Sequence, residues 1–211
     1  MVSKYHLRSN SIYIKDTDIP HNKLGIISAD ELHELEGELL EEAYQVFYQE
    51  LDEHTLFNED YFKALHQRTF EGLYKWAGEY RQFNMSKGTS RFCQGAYIAT
   101  NSAKIFNKLA KINYLKEFTK PKEELAKQLA YFKCELIALH PFYELNGRIT
   151  RLFFDMIAIS NGYSYIDYSN ISPETYINAS IECVQFANSD SMELIITNGL
   201  QTTDSFRPIT V

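Results

Sequence analysis

The chain has 211 residues, 45% of them hydrophobic and including 14 Phe and 15 Tyr, which is enough to bury one substantial core and too few for a second. Its 21 Lys and Arg against 28 Asp and Glu leave a net charge of −7, which disfavours a general nucleic-acid surface and fits a nucleotide or protein partner better. No apolar run approaches the roughly 20 residues that cross a bilayer. The start, Met1-Val2-Ser3-Lys4-Tyr5-His6, lacks the basic-then-apolar order of a secretory signal, so the expectation is a cytoplasmic protein. Cys93, Cys134 and Cys183 are widely separated and show neither CxxC nor Cys/His ligand spacing; the expectation is reduced structural thiols.

In chain order, residues 1–22 show no clear period and carry turn-forming Asp and Pro, and read as an arm ahead of a domain spanning 23–200. Ser28 and Glu31 form a capping box, followed by Leu32, Leu35 and Leu39 on one helical face. A second helix is predicted from an Asn58 cap through Phe62, Leu65 and Leu73 to Trp76, ending near Gly78. Between Tyr80 and Ile98 the helical period fails, and Lys87-Gly88-Thr89-Ser90 is the turn of a predicted β-hairpin. Helicity returns at Ala103–Leu109, then from Lys122 through Leu125, Leu129, Phe132, Leu136 and Leu139 until Pro141. Ile149, Leu152, Phe153, Met156 and Ile157 form a further helical stripe that stops at Asn161-Gly162. Ser172-Pro173 caps another helix, and a short one covers Met192–Thr197. The tail 201–211 has little to anchor it. The fold class is mainly α, a helical bundle with one small hairpin.

The chemistry is concentrated in His140-Pro141-Phe142-Tyr143-Glu144-Leu145-Asn146-Gly147-Arg148-Ile149-Thr150-Arg151, between the two strongest helices. A helix starting at Asn146 directs unpaired N–H groups outward, and Gly147 allows phosphate to approach the backbone closely. Arg148 and Arg151, three residues apart, can offer planar forks to one polyphosphate. Glu144 is a hard oxygen ligand of the kind that holds Mg²⁺ together with nucleotide phosphates. His140, at a helix end, can accept a proton near neutral pH. Taken singly, a histidine there is more often structural and an Asn-Gly-Arg means little; it is the combination that carries weight.

This stretch resembles the Fic-family signature His-Pro-Phe-x-Asp/Glu-Gly-Asn-Gly-Arg-x-x-Arg, matched at every defined position except Leu145, where the family usually has Gly. Asn22-Lys23-Leu24-Gly25-Ile26, Leu73-Tyr74-Lys75-Trp76-Ala77-Gly78-Glu79-Tyr80-Arg81 and the Lys87 hairpin are also similar to the family. The resemblance implies a Fic-fold helical bundle with the hairpin as a flap beside the active-site loop. It implies ATP as co-substrate with Mg²⁺, and transfer of AMP to a Ser, Thr or Tyr hydroxyl of a target protein docked on the flap by strand-like pairing. By the same resemblance His140 is the base, Glu144 the metal ligand, Phe142 the loop's core anchor and Pro141 the residue that fixes its approach. Asn146 and Gly147 form the anion hole, Arg148 and Arg151 the phosphate clamp, and Lys87 and Gly88 border the nucleotide.

Leu145 departs from the pattern, and a leucine costs strain if the position requires φ > 0. Doc-type toxins, which phosphorylate, carry Ala there and Lys in place of the second glycine, whereas Gly147 is kept. That favours adenylylation over phosphorylation and leaves a third alternative, a nucleotide- or protein-binding module silenced by Leu145. The inhibitory pattern Ser/Thr-x-x-x-Glu-Gly/Asn of many Fic proteins is incomplete: Glu36 and Glu71 precede Gly, but Leu32 and Gln67 stand four residues earlier. Restraint is therefore expected from a separate small antitoxin-like protein, or is absent.

Overall fold

The computed structural model describes the backbone of residues 6–7 and residues 12–116 and 121–202 in full. Among these are strand β1 (His6–Leu7), helices α1 (Ala29–Gln49) and α2 (Glu59–Phe70), and the hairpin strands β2 (Met85–Lys87) and β3 (Ser90–Arg91). Five helices follow: α3 (Ile98–Ala110), α4 (Lys122–Leu139), α5 (Asn146–Ser160), α6 (Pro173–Phe186) and α7 (Asp190–Gly199). The parts of the arm at 1–5 and 8–11, and the tail from 203, lie outside the described residues.

Three helix starts follow from their caps. Ser28 Oγ accepts from Glu31 N at 3.3 Å, Asn58 Oδ1 from Tyr61 N at 2.8 Å, and Ser172 Oγ from Thr175 N at 3.1 Å, each satisfying one of the donors a helix leaves open. The core is built on α4 and α5. In α5 every residue from Leu152 to Ile159 is buried, the all-round burial of a central helix. Helices α1 and α2 pack beside α5, while α3, α6 and α7 pack against α4.

The second helix is shorter than its apolar pattern predicts, ending at Phe70 rather than near Gly78. Leu73 and Tyr74 are buried, Tyr74 donates to Glu36 Oε1 at 2.6 Å, and Trp76 stacks on Tyr74 at 4.3 Å. Tertiary contacts thus claim side chains whose spacing also suits a helix. The chain turns at Gly78, where φ is +79° and a Cβ would sit 2.7 Å from Gln67 Cβ; only glycine fits.

The expectation of three reduced thiols is corrected. Packing of α4 on α6 brings Cys134 and Cys183 together in a disulfide across 49 residues, leaving Cys93 free. Sequence spacing carries no trace of such a pairing, because it depends on which helices become neighbours. The hairpin lies where predicted, turning at Gly88-Thr89, and gains an edge strand: β1 pairs antiparallel with β2, in the order β1-β2-β3.

Arg81 joins hairpin to bundle. Its fully buried guanidinium donates through Nε to His140 O (2.8 Å), through Nη1 to Phe83 O (2.5 Å), and through Nη2 to Cys93 O (2.6 Å) and Leu139 O (3.3 Å). Replacing Arg81 by Met leaves these buried carbonyls without their donors, and Lys cannot reach all of them from one nitrogen. Both variants are expected to lose about 3 kcal/mol or more of unfolding free energy in urea titration, with Met at least as damaging as Lys.

Candidate active site

Helix α4 ends because His140 adopts left-handed backbone angles (φ 45°, ψ 59°) while its N–H still donates to Leu136 O at 3.0 Å. Pro141 follows and cannot continue the helix. The imidazole is largely buried and stacks on Phe92, a residue just beyond β3, at 3.8 Å and 10°. The sequence-predicted base is therefore oriented by the flap.

The loop from Pro141 to Leu145 is fixed from inside. Phe142 is fully buried, packing on Phe62 at 5.3 Å and stacking on His66 at 4.0 Å. Asn146 returns its side chain to that residue, with Oδ1 accepting from Phe142 N at 2.8 Å and Nδ2 donating to Phe142 O at 2.9 Å. The amide of Asn146 is thus spent on shaping the loop, which leaves its backbone N–H as the group it can offer outward. Leu145 has φ 65°, ψ 10°, the positive φ at which leucine costs about 1–2 kcal/mol relative to glycine. Its side chain, 9% exposed, packs with the core.

The start of α5 has no side-chain cap, and the first N–H bonded inside the helix is that of Ile149, to Leu145 O at 3.1 Å. Helix geometry therefore leaves the N–H groups of Asn146, Gly147 and Arg148 to be met from outside. A Cβ added at Gly147 would meet nothing within 4 Å, so the space above the helix end is open. It belongs to a cavity of about 330 Å³ bordered by Lys87, Glu144, Leu145, Asn146, Gly147 and Arg148, by Asp18, Ile19 and Pro20 of the N-terminal stretch, and by Leu32, His33 and Glu36 of α1.

Glu144 is 5% exposed, and its Oε1 accepts from the Tyr13 hydroxyl at 2.5 Å. Its backbone oxygen lies 3.2 Å from His66 Nε2. Because His66 Nδ1 accepts from Gly78 N at 2.9 Å, the ring proton sits on Nε2 and donates to Glu144. Arg148 is held on α1, with Nη1 3.1 Å from Glu36 Oε2 and Nη2 2.7 Å from His33 Nδ1. Glu36, the glutamate preceding Gly37, thus contacts the first arginine of the segment.

The structure gathers Lys87, Glu144, Asn146, Gly147 and Arg148 around one cavity, whereas His140, Gly88 and Arg151 do not line it. Arg151 lies over the rings of Tyr168 (4.6 Å) and Tyr176 (5.0 Å), beside the buried Lys133, whose Nζ is 2.7 Å from Tyr168 Oη. Three contributors escaped the sequence reading. Tyr13 fell in a segment without a period, His66 read as one more position on a helix, and Arg81 was noted only within a similar stretch.

Among the described residues no group of three or more His, Cys, Asp or Glu is arranged to hold a metal ion. A single carboxylate at a phosphate-accepting helix end is the donor set that suits Mg²⁺ brought in with a nucleotide, and Glu144 meets that description. No described helix is long and apolar enough to cross a membrane.

Burial lowers the His66 pKa to about 4, so the folded chain keeps this imidazole neutral while the unfolded chain protonates it below about 6.5. Its contribution to stability is present above that pH and is lost as pH falls toward 4. Wild type is expected to lose up to about 3 kcal/mol between pH 6.5 and 4 that His66→Gln does not lose, read as a narrowing gap in denaturation midpoint.

The sequence profile of the Fic/DOC family matches residues 56–158. A probable protein adenylyltransferase, y4lH of Sinorhizobium fredii, is 30% identical over 178 residues, covering 84% of this chain and 90% of that protein. The protein adenylyltransferase VbhT of Bartonella schoenbuchensis is 30% identical over 200 residues, 93% of this chain but 40% of that protein, so the chain spans less than half of this longer relative. In three dimensions the chain resembles the crystal structure of the Bartonella tribocorum effector BepC with bound AMPPNP. The TM-score is 0.79 at 22% identity, covering 92% of this chain and 98% of the other. A helical bundle with a small flap, the signature loop at an open helix end, and a relative matched along nearly its whole length agree: the chain belongs to the Fic/DOC family.

Proposed function

We propose that this chain is a protein adenylyltransferase that moves AMP from ATP to a hydroxyl side chain of another protein and releases pyrophosphate. The observation that carries the reading is the uncapped start of α5, with open space at Gly147 in a cavity shared with Glu144 and Arg148. An anionic polyphosphate is the ligand such a helix end favours. The nucleotide in the BepC structure and the adenylyltransferase names of y4lH and VbhT support it.

In this reading the target hydroxyl attacks the α-phosphorus as the bond to the β-phosphate oxygen breaks, and His140 takes the hydroxyl proton. A base of this kind contributes about 10²–10⁴-fold. The N–H groups of Asn146, Gly147 and Arg148 receive phosphate oxygens, and the Arg148 guanidinium adds charge where it accumulates. Arg151 would have to leave Tyr168 and Tyr176 to join the clamp. Glu144 would hold Mg²⁺, which when bound neutralises charge on the departing pyrophosphate. Lys87 borders the nucleotide from the flap, whereas Gly88, which does not line the cavity, would have to move toward it.

The target would dock on the flap as an extended segment. That the chain's own His6–Leu7 pairs with β2, His6 opposite Ser86 and Leu7 opposite Met85, supports β2 as a strand acceptor, and an incoming target segment would take the place of His6–Leu7. The catalytic unit comprises 23–200, and the bond of Tyr13 to Glu144 and the place of Pro20 in the cavity wall support including residues 12–22. In the same reading the compartment is the cytoplasm, and inhibition comes from a separate small antitoxin-like protein or is absent.

Purified protein with Mg²⁺ and cell lysate should transfer label from α-labelled but not γ-labelled ATP, and His140→Ala should abolish it while keeping the fold. Label from the γ position would make the chain a phosphotransferase. Nucleotide binding without label from either would make it a binding module, the outcome to which strain at Leu145 points. Removing the Tyr13 hydroxyl leaves Glu144 less well oriented. Tyr13→Phe should therefore raise the Mg²⁺ concentration needed for half-maximal transfer several-fold, with nucleotide affinity in EDTA unchanged; an equal loss in EDTA would assign Tyr13 a purely structural role.

A further inference from the structure

A second concavity, of about 750 Å³, runs between α3 and the flap. Its wall carries Arg91 from β3 and, on α3 and its cap, Lys104, Lys108 and Lys111, opposed by one acidic residue, Glu135. The three lysines fall at i, i+4 and i+7, hence on one helical face, and all four cations are exposed. Lys108 donates to Tyr131 Oη at 2.7 Å and lies 3.9 Å from Glu135. Arg91, Lys104 and Lys111 make no ion pair with any described residue. This positive surface stands on a chain whose net charge is −7.

The position of the groove matters as much as its charge. The flap contributes Lys87 to the nucleotide cavity but Arg91 and Phe92 to the groove. Phe92 stacks on His140 at 3.8 Å, and Leu139, the residue before His140, also lines the groove. A chain lying in the groove therefore runs past the ring that holds the base. Resting on the adenylyltransferase reading, we propose that this groove docks an acidic segment of the target protein, beside the flap and next to His140. Lysines spread over a convex helix would be an ordinary solvated face. Gathered in a concavity one residue from the base, they raise the local concentration of an acidic chain and set its direction.

The test uses the intact protein and two short fluorescein-labelled peptides, one of glutamates around a single tyrosine and one of lysines around a single tyrosine, followed by anisotropy. Wild type is expected to bind the acidic peptide and not the basic one. Raised salt and the triple variant Lys104→Glu, Lys108→Glu, Lys111→Glu should each weaken that binding, about tenfold or more for the variant. The variant's circular dichroism and its affinity for a fluorescent ATP analogue should match wild type, while its labelling of lysate proteins from α-labelled ATP falls. Equal binding of the acidic peptide by wild type and variant, or equal binding of both peptides by wild type, would overturn the proposal. Charge-dependent binding in a protein that labels nothing would instead sink the enzymatic reading and leave the groove as a docking site for acidic chains.

Discussion

The buried guanidinium of Arg81 is the interaction on which the site's geometry depends. Its donors reach carbonyls on both sides of a boundary: Leu139 and His140 at the end of α4, Phe83 and Cys93 at the base of the flap. Backbone pairing repeats the connection, since Arg81 N donates to Pro141 O and Cys93 N to Ala138 O. Each of these bonds ends on a carbonyl, and a guanidinium with five donors in fixed directions is the side chain able to serve several at once. The flap, the histidine and the loop beyond it consequently form one body, and Phe92 can hold the imidazole flat because the flap cannot drift from the helix end.

Around that clamp the loop stores strain. His140 and Leu145, its two ends, both sit at positive φ, each costing about 1–2 kcal/mol for a residue with a side chain. Phe142 within the aromatic core, the two hydrogen bonds of Asn146 and the contact of His66 with Glu144 offset it. The outcome is a sharp reversal between two helices that presents the end of one and the start of the other to the same region. A gentler connection would separate His140 from the open start of α5.

The charges are sorted by place. Arg148 is drawn to Glu36 and His33 on α1, Arg151 to the faces of Tyr168 and Tyr176. Near Arg151, burial opposes the charge on Lys133, but Tyr168, Tyr176 and Asp155 outweigh it and its pKa is raised. Burial raises the pKa of Asp155 despite Lys133 and Tyr44. Two arginines three residues apart thus occupy different electrostatic settings, with one at the cavity and the other held by aromatic faces.

Much of this was legible in the sequence wherever contacts are local. Caps at Ser28, Asn58 and Ser172, apolar periods in α4 and α5, the Gly88 turn and the placement of the His140–Arg151 segment between two helices all depend on residues a few positions apart, whose energetics spacing records. Leu145 announced its strain for the same reason, because φ belongs to a single residue. The end of α2 at Phe70, the pairing of Cys134 with Cys183, the reach of Tyr13 to Glu144 across 131 positions, the divergence of the two arginines and the basic groove were decided only by tertiary structure. Each joins segments remote in the chain, and which remote segments meet depends on how whole helices pack, an arrangement no local pattern encodes.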